Sequence, residues 1–268
     1  MNISEGRDLA VVGLLADACG PCLLDVHSDG DHNRSVFSLA GEQARVEVAA
    51  RDLAAAAVGM LDLAHHSGVH PRLGVVDVVP WVALEGWPLR DVAPSLARQC
   101  AGAARDRFAQ WAASALGLPV FLYGPERTLP EVRSSAWRAL TPDLGPNRPH
   151  PTAGAVTVGW RPLMMAYNLW LAGPDMARAR AIAKAVRSPS VRALAFSVAG
   201  QAQVSCNLTD PVAFGPNAIW DQVAAMGPVA RAELVGLVPQ AVLELVPEDL
   251  WAQLDLAPER TIEARLTR

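Results

Sequence analysis

Two short polar stretches hold the residues best suited to chemistry. The run Gly68-Val-His-Pro-Arg-Leu-Gly74 reads as a loop: Pro71 fixes the backbone beside His70, and Gly68 and Gly74 permit tight turns. A loop histidine titrates near neutrality and suits proton transfer; the alternative is a histidine on an inert surface. Asp29, Asp31, His32, Asn33 and Arg34 form a polar loop between two strand-like runs. That position suits substrate contact, although Asp and Asn are also ordinary turn formers. Arg34 and Arg72 can each grip a carboxylate through two parallel hydrogen bonds, or sit in a surface ion pair.

Other arrangements point to less. His65, His66 and His70 spell H-H-x3-H, but no carboxylate or cysteine follows at ligand spacing, so no metal is expected. His65 and His66 are read as the last residues of a helix, where partial positive charge is favourable. Cys19-Gly-Pro-Cys22 has the spelling of a thioredoxin-type redox motif, yet a helical run precedes it and a strand follows, the reverse of the order that activates a thiol. A helix-to-strand turn is the expected role. Of the 23 basic residues 22 are arginine, which leaves Lys184 alone for lysine-based covalent chemistry.

Elements must position these residues, and 268 residues at 51% hydrophobic content can bury a full core. The formal charge is −4 without a basic block, so nucleic acid is not an expected partner. No apolar run approaches the ~20 residues of a membrane span, and no signal peptide opens the chain, so a cytoplasmic, membrane-free protein is expected. Apolar periodicity predicts helices over 7–18 and 43–66, with Asp91 capping another whose apolar face is Val92, Leu96, Cys100, Ala104, Phe108, Trp111 and Ala115. Strands are expected at 22–27, 34–40, 75–81 and 119–123. After a Pro/Gly-rich connector over 124–154, residues 155–171 read as strand. A helix follows around 176–186, then a hairpin across Ala199-Gly200, a helix near 216–226, a strand at 229–238 and a short helix at 239–246. Both halves read as α+β units of the split β-α-β kind.

Eight segments, in order, resemble the glutamate formimidoyltransferases, the transferase part of formimidoyltransferase–cyclodeaminase. They are Asn2-Ile-Ser-Glu-Gly-Arg7, Leu24 to Val36, Gly68 to Gly74 with Asp77, Pro119-Val-Phe-Leu-Tyr-Gly124, Asp143-Leu-Gly-Pro146, Gly154 to Arg161 with Ala166-Tyr-Asn168, Gln203-Val-Ser-Cys-Asn-Leu208, and Glu233-Leu-Val-Gly-Leu-Val-Pro239. The resemblance implies two tandem ferredoxin-like subdomains, residues 1–150 and 151–268, with a folate groove and a homodimer. The chain opens at the N-x-S-E-G motif, so the family's first strand is expected to be missing and an edge of the first sheet to open. A fused cyclodeaminase is not expected.

The implied reaction belongs to histidine degradation and one-carbon metabolism. A formimidoyl group passes from N-formimidoyl-L-glutamate to N5 of tetrahydrofolate, the co-substrate. His70 matches the family's catalytic histidine in G-x-H-P-R-x-G. Gly145, Pro146, Asn147, Arg148, Pro149, His150, Pro151, Thr152, Ala153 and Gly154 align without a gap to the family's folate-binding segment. Asp29, Asp31, Asn33, Arg34 and Arg72 are the expected contacts to substrate, since both substrates carry glutamate carboxylates. A non-catalytic folate-binding paralogue, and an enzyme for another N5-substituted folate, remain alternatives at this stage.

Overall fold

The computed structural model describes residues 1–83 and 93–267; Asp91 and Val92, the expected cap and first face residue of a helix, lie outside the described residues. The chain divides into two compact units, Met1–Pro162 and Leu163–Arg268.

The first unit runs β1 (Asn2–Ile3), α1 (Leu9–Ala18), β2 (Leu23–Asp29), β3 (Arg34–Leu39), α2 (Gln43–Met60), β4 (Val76–Ala83), α3 (Pro94–Ala115), β5 (Val120–Tyr123), α4 (Leu129–Ser135) and β6 (Val156–Pro162). Its sheet has the order β2-β3-β1-β4-β6-β5. The first four of those strands, with α1 and α2, make a β-α-β-β-α-β unit in which β1 lies antiparallel between β3 and β4. The expected loss of the first strand is therefore corrected: its central place is filled by two residues, Asn2 and Ile3, which pair on both sides. Ile3 is fully buried, and Val12 and Leu15 of α1 are buried over the sheet. Beyond β4 the sheet continues through β6 and β5, both parallel to their neighbours.

Caps and close approaches set the element ends. Asp8 accepts hydrogen bonds from the Ala10 and Val11 amides and starts α1. In α2 the buried face is Ala49, Ala50, Leu53, Ala54 and Ala57, small residues that bring the helix close to its neighbours. The helix stops at Met60 rather than 66. Asp62 caps a separate 3-10 turn, Leu63–His65, and the Leu63 amide donates instead to the Thr152 carbonyl at 2.7 Å.

The second unit runs β7 (Met165–Leu171), α5 (Met176–Ala185), β8 (Val191–Val198), β9 (Gln201–Leu208), α6 (Pro216–Ala224), β10 (Val229–Val235), α7 (Gln240–Leu243) and α8 (Ile262–Leu266). Its sheet order, β10-β7-β9-β8, is again that of a ferredoxin-like unit. Positive φ at Ala199 and Gly200 makes the tight hairpin between β8 and β9. The boundary expected at 150 lies at Pro162. Residues 155–171 are two strands: β6 pairs with β4 and β5, and β7 pairs with β9 and β10. Among the described residues no helix is long and apolar enough to cross a membrane.

Candidate active site

The site assembles in the first unit where three loops meet: the β2–β3 loop, the 66–77 segment, and the 143–155 segment. Glycines make the approach possible. A Cβ at Gly68 would lie 2.3 Å from the His32 carbonyl oxygen, and one at Gly74 would lie 2.2 Å from the Ala155 carbonyl oxygen. Gly74 and Gly154 form an antiparallel bridge, and Val75 N–H to Ala153 O (3.0 Å) and Ala155 N–H to Leu73 O (2.9 Å) complete the seam. The segment expected to bind folate is thus bonded directly to the loop that carries His70.

His70 is partly buried, with Nδ1 2.7 Å from the Pro71 carbonyl oxygen and 3.1 Å from Arg34 Nη1. We assign the proton to Nδ1 on the shorter contact, which leaves Nε2 as the basic nitrogen. Burial, then the charges of Arg34 and Arg133, lower its pKa from 6.5 to about 3, so the ring is neutral at pH 7. The ring of His32 lies 5.8 Å away, centroid to centroid.

Beneath His70 lies Asp77 on β4, fully buried. One carboxylate oxygen accepts from Arg34 and Arg133, each at 2.6 Å, and the other from the Leu73 amide at 2.8 Å. Burial pushes this carboxyl up, but the two guanidinium charges and the hydrogen bonds from Arg133 and Leu73 hold it below the usual range. Arg133, on α4, also donates to the Pro71 carbonyl at 3.1 Å. Asp77 was visible only as a motif residue, and Arg133 was not singled out. A carboxylate inside the apolar run Val75 to Val79 was the available signal, since a buried charge demands partners.

The other expected residues divide between scaffold and surface. Asp29 Oδ1 accepts the Asp31 and His32 amides at 2.8 and 2.7 Å and shapes the β2–β3 turn. Asp31 is exposed, and its carbonyl accepts the Val69 amide. Asn33, buried with φ +47°, clamps the Gly6 amide and the Ser67 carbonyl. Arg34 is committed to Asp77 and Asn2, and its charge lies against the His70 ring. Arg72 donates to the carbonyls of His32 (3.0 Å), Asn33 (3.2 Å) and His70 (2.6 Å), so its fork fastens the loops together.

His66 caps the 3-10 turn Leu63–His65 rather than ending α2, and its side chain is engaged in the site. It contacts the Asn33 carbonyl at 2.9 Å and Arg72, and burial followed by the Arg72 charge lowers its pKa. In the folate-aligned segment, His150 Nδ1 accepts the Ala153 and Thr152 amides at 3.0 and 3.3 Å, and Ala153 and Gly154 are buried in the seam. Gly145, Pro146, Asn147, Arg148, Pro149 and Pro151 are exposed. Cys19 ends α1, Cys22 closes a 3-10 turn, and both thiols are free. Burial pushes Cys19 up to about 11 and raises Cys22, which leaves neither as a ready thiolate.

Tandem ferredoxin-like units, the first with a loop histidine over an Arg–Asp–Arg cluster, make an α+β protein with a candidate proton-transfer site. The chain belongs to the formiminotransferase family: residues 1–161 match the formiminotransferase domain, N-terminal subdomain. It is 35% identical over 205 residues to a glutamate formimidoyltransferase of Streptococcus pyogenes serotype M1, covering 69% of this chain and 66% of that protein. It is 31% identical over 278 residues to a glutamate formimidoyltransferase of Thermoplasma acidophilum, covering 90% and 88%. A formimidoyltransferase-cyclodeaminase of Sus scrofa is 31% identical over 279 residues, and the match covers 90% of this chain and 50% of that longer protein.

Proposed function

We propose that this protein transfers a formimidoyl group from N-formimidoyl-L-glutamate to N5 of tetrahydrofolate, with His70 as the catalytic base and acid. The observation that carries the reading is the direct seam between the His70 loop and the 145–154 segment, centred on Gly74 and Gly154. It joins the proton-transfer group to the residues aligned with folate binding. Asn147 and Arg148 are the exposed polar side chains of that segment.

The chemistry requires a bond from N5 to the formimidoyl carbon, and loss of the bond from that carbon to the glutamate nitrogen. N5 gives up a proton and the departing nitrogen takes one. A neutral imidazole begins the cycle as base, carries the N5 proton on Nε2, and returns it to the leaving amine. His70 starts in that neutral form.

The test is turnover with tetrahydrofolate and N-formimidoyl-L-glutamate, each omitted in turn. A titration with folinic acid should also raise the thermal midpoint, because a ligand bound only by the native state stabilises it by mass action. Folinic acid binding without turnover points instead to a non-catalytic folate-binding paralogue. Neither binding nor turnover sinks both.

His70→Ala should lower turnover by ~10²–10⁴, the usual contribution of a general acid–base group, while folinic acid binding persists. His65→Ala is the control, since His65 is exposed and pairs with Asp62 at the surface. Wild-type turnover in His70→Ala removes the assigned role.

A further inference from the structure

Two arginines and one aspartate leave an unbalanced positive charge beside His70. Arg34 and Arg133 share a single oxygen of Asp77. Asp77 is the carboxylate that acts most strongly on Arg34, while Arg133 acts as a like charge. His70 does not offset them, being neutral. The five N–H donors of each guanidinium are also not all used: Arg133 has one bond to Pro71 O and one to Asp77 among the described residues. Arg133 comes from α4 and keeps its side chain partly exposed at 19%, while Asp77 beneath it is sealed at 0%. A partly solvated guanidinium, pinned from below by a buried carboxylate and flanked by a second arginine, is a preorganised receptor for an anion.

We propose that Arg133, held on Asp77 with Arg34, forms the carboxylate-binding subsite next to His70 and takes a glutamyl carboxylate of the substrate. This rests on the transferase reading above and assigns a residue that sequence reasoning did not single out. A carboxylate is the matching anion, because its two oxygens pair with the two parallel N–H groups of a guanidinium. Two sources share that chemistry: the amino-acid donor and the glutamyl tail of the folate.

Occupancy has a second consequence. The groups facing His70 are Arg34 from β3, Arg133 from α4, Asp77 from β4, Arg72 from its own loop, and His32 from the β2–β3 loop. A bound carboxylate offsets part of that positive charge and raises the proton affinity of His70, which stays neutral at pH 7 and takes up a proton on binding only in acid, close to its low folded pKa. The donor thereby improves the base that acts on its partner.

The experiment is calorimetric binding to the full chain with N-formyl-L-glutamate, folinic acid and pteroic acid, which has no glutamyl tail. Arg133→Met should weaken the carboxylate ligand by on the order of 10–100-fold, the range for a charge-assisted pair. Arg133→Lys should recover part of the loss, because lysine restores charge without the fork. Arg138→Met, on an exposed neighbour, should bind as wild type. Loss confined to N-formyl-L-glutamate identifies the donor as the source. Loss for folinic acid with pteroic acid unchanged identifies the folate tail. The wild-type heat should vary with buffer ionisation enthalpy at about pH 5 and not at pH 7, since His70 starts from a folded pKa of about 3, and that dependence should vanish in His70→Asn.

Equal affinities of wild type and Arg133→Met overturn the subsite while leaving the transferase reading intact. A wild type that binds no carboxylate ligand overturns it as well. Carboxylate binding that depends on Arg133, in a protein without turnover, supports the subsite and removes the transferase reading. Thermal midpoints of each variant separate lost binding from lost folding.

Discussion

At His70 the same burial that keeps the ring neutral also makes it a liability in acid. Its folded pKa of about 3 lies below the 6.5 of the free side chain. Between those values the unfolded chain holds a proton that the folded chain does not. Stability therefore falls as pH drops through this window, by up to about 1.4 kcal/mol per pH unit for one proton, and His70 contributes no slope above it. His66, also lowered, adds to the slope in the same direction. His70→Asn should flatten denaturation free energy against pH between 6.5 and 4; an unchanged slope places the acid sensitivity elsewhere. Asp77 makes the complementary case. Asp77→Asn leaves Arg34 and Arg133 without their shared counter-charge and should cost about 3–5 kcal/mol, as breaking a buried pair does. Urea midpoints measure it, and a loss under 1 kcal/mol would mean that water or rearrangement compensates the arginines. The sequence showed His70 because a Pro and two Gly frame it, but a guanidinium that fastens loops and one that binds substrate are written alike. Arg72 and Arg133 were separable only by their partners: three carbonyls for the first, a sealed carboxylate for the second.

Among elements, the seam at Gly74 and Gly154 decides whether the site exists. Gly74 needs its missing Cβ for space, since the Ala155 and Ala153 carbonyls lie where a methyl would go. Gly74→Ala should destabilise the chain by roughly 2–3 kcal/mol through overpacking and weaken folinic acid binding in parallel. Gly13→Ala, where nothing lies within 4 Å, is the matched control and should be neutral or slightly stabilising in its helix. Equal midpoints for the two variants would show that the seam yields without cost. Local pattern revealed most helices and hairpins here, because caps and turns are short-range signals. It overran at two places where distant partners decide. The Leu63 amide is claimed by Thr152, which ends α2 before the periodic pattern does. In α3 the buried stripe is Ala97, Ala101, Ala104 and Phe108, while Leu96 and Cys100 face solvent, so small residues were chosen for close approach over bulkier ones.

For the whole chain, the position of β6 determines what a separable unit is. The apolar run after Gly154 continues almost unbroken to Leu171, and nothing in its composition says that Val156–Pro162 joins one sheet and Met165–Leu171 another. Pairing says it: β6 lies between β4 and β5, buried from Val156 to Gly159, so removing it splits the first sheet. The second unit owns a complete β-α-β-β-α-β circuit and a core of its own, built on Tyr167, Leu169, Ile182, Leu208 and Leu234. A unit with its own core and closed topology should fold alone. Fragments 1–162 and 163–268, expressed separately, should each give dispersed amide spectra and a cooperative thermal transition. Fragments cut at 150 should behave differently. The piece 1–150 leaves β5 detached from β4 and loses the Gly154 side of the site. The piece 151–268 carries an unpaired apolar strand, an exposed edge that favours aggregation. Cooperative folding of 1–150 together with failure of 1–162 would refute the boundary at Pro162 and, with it, the assignment of β6 to the sheet that supports His70.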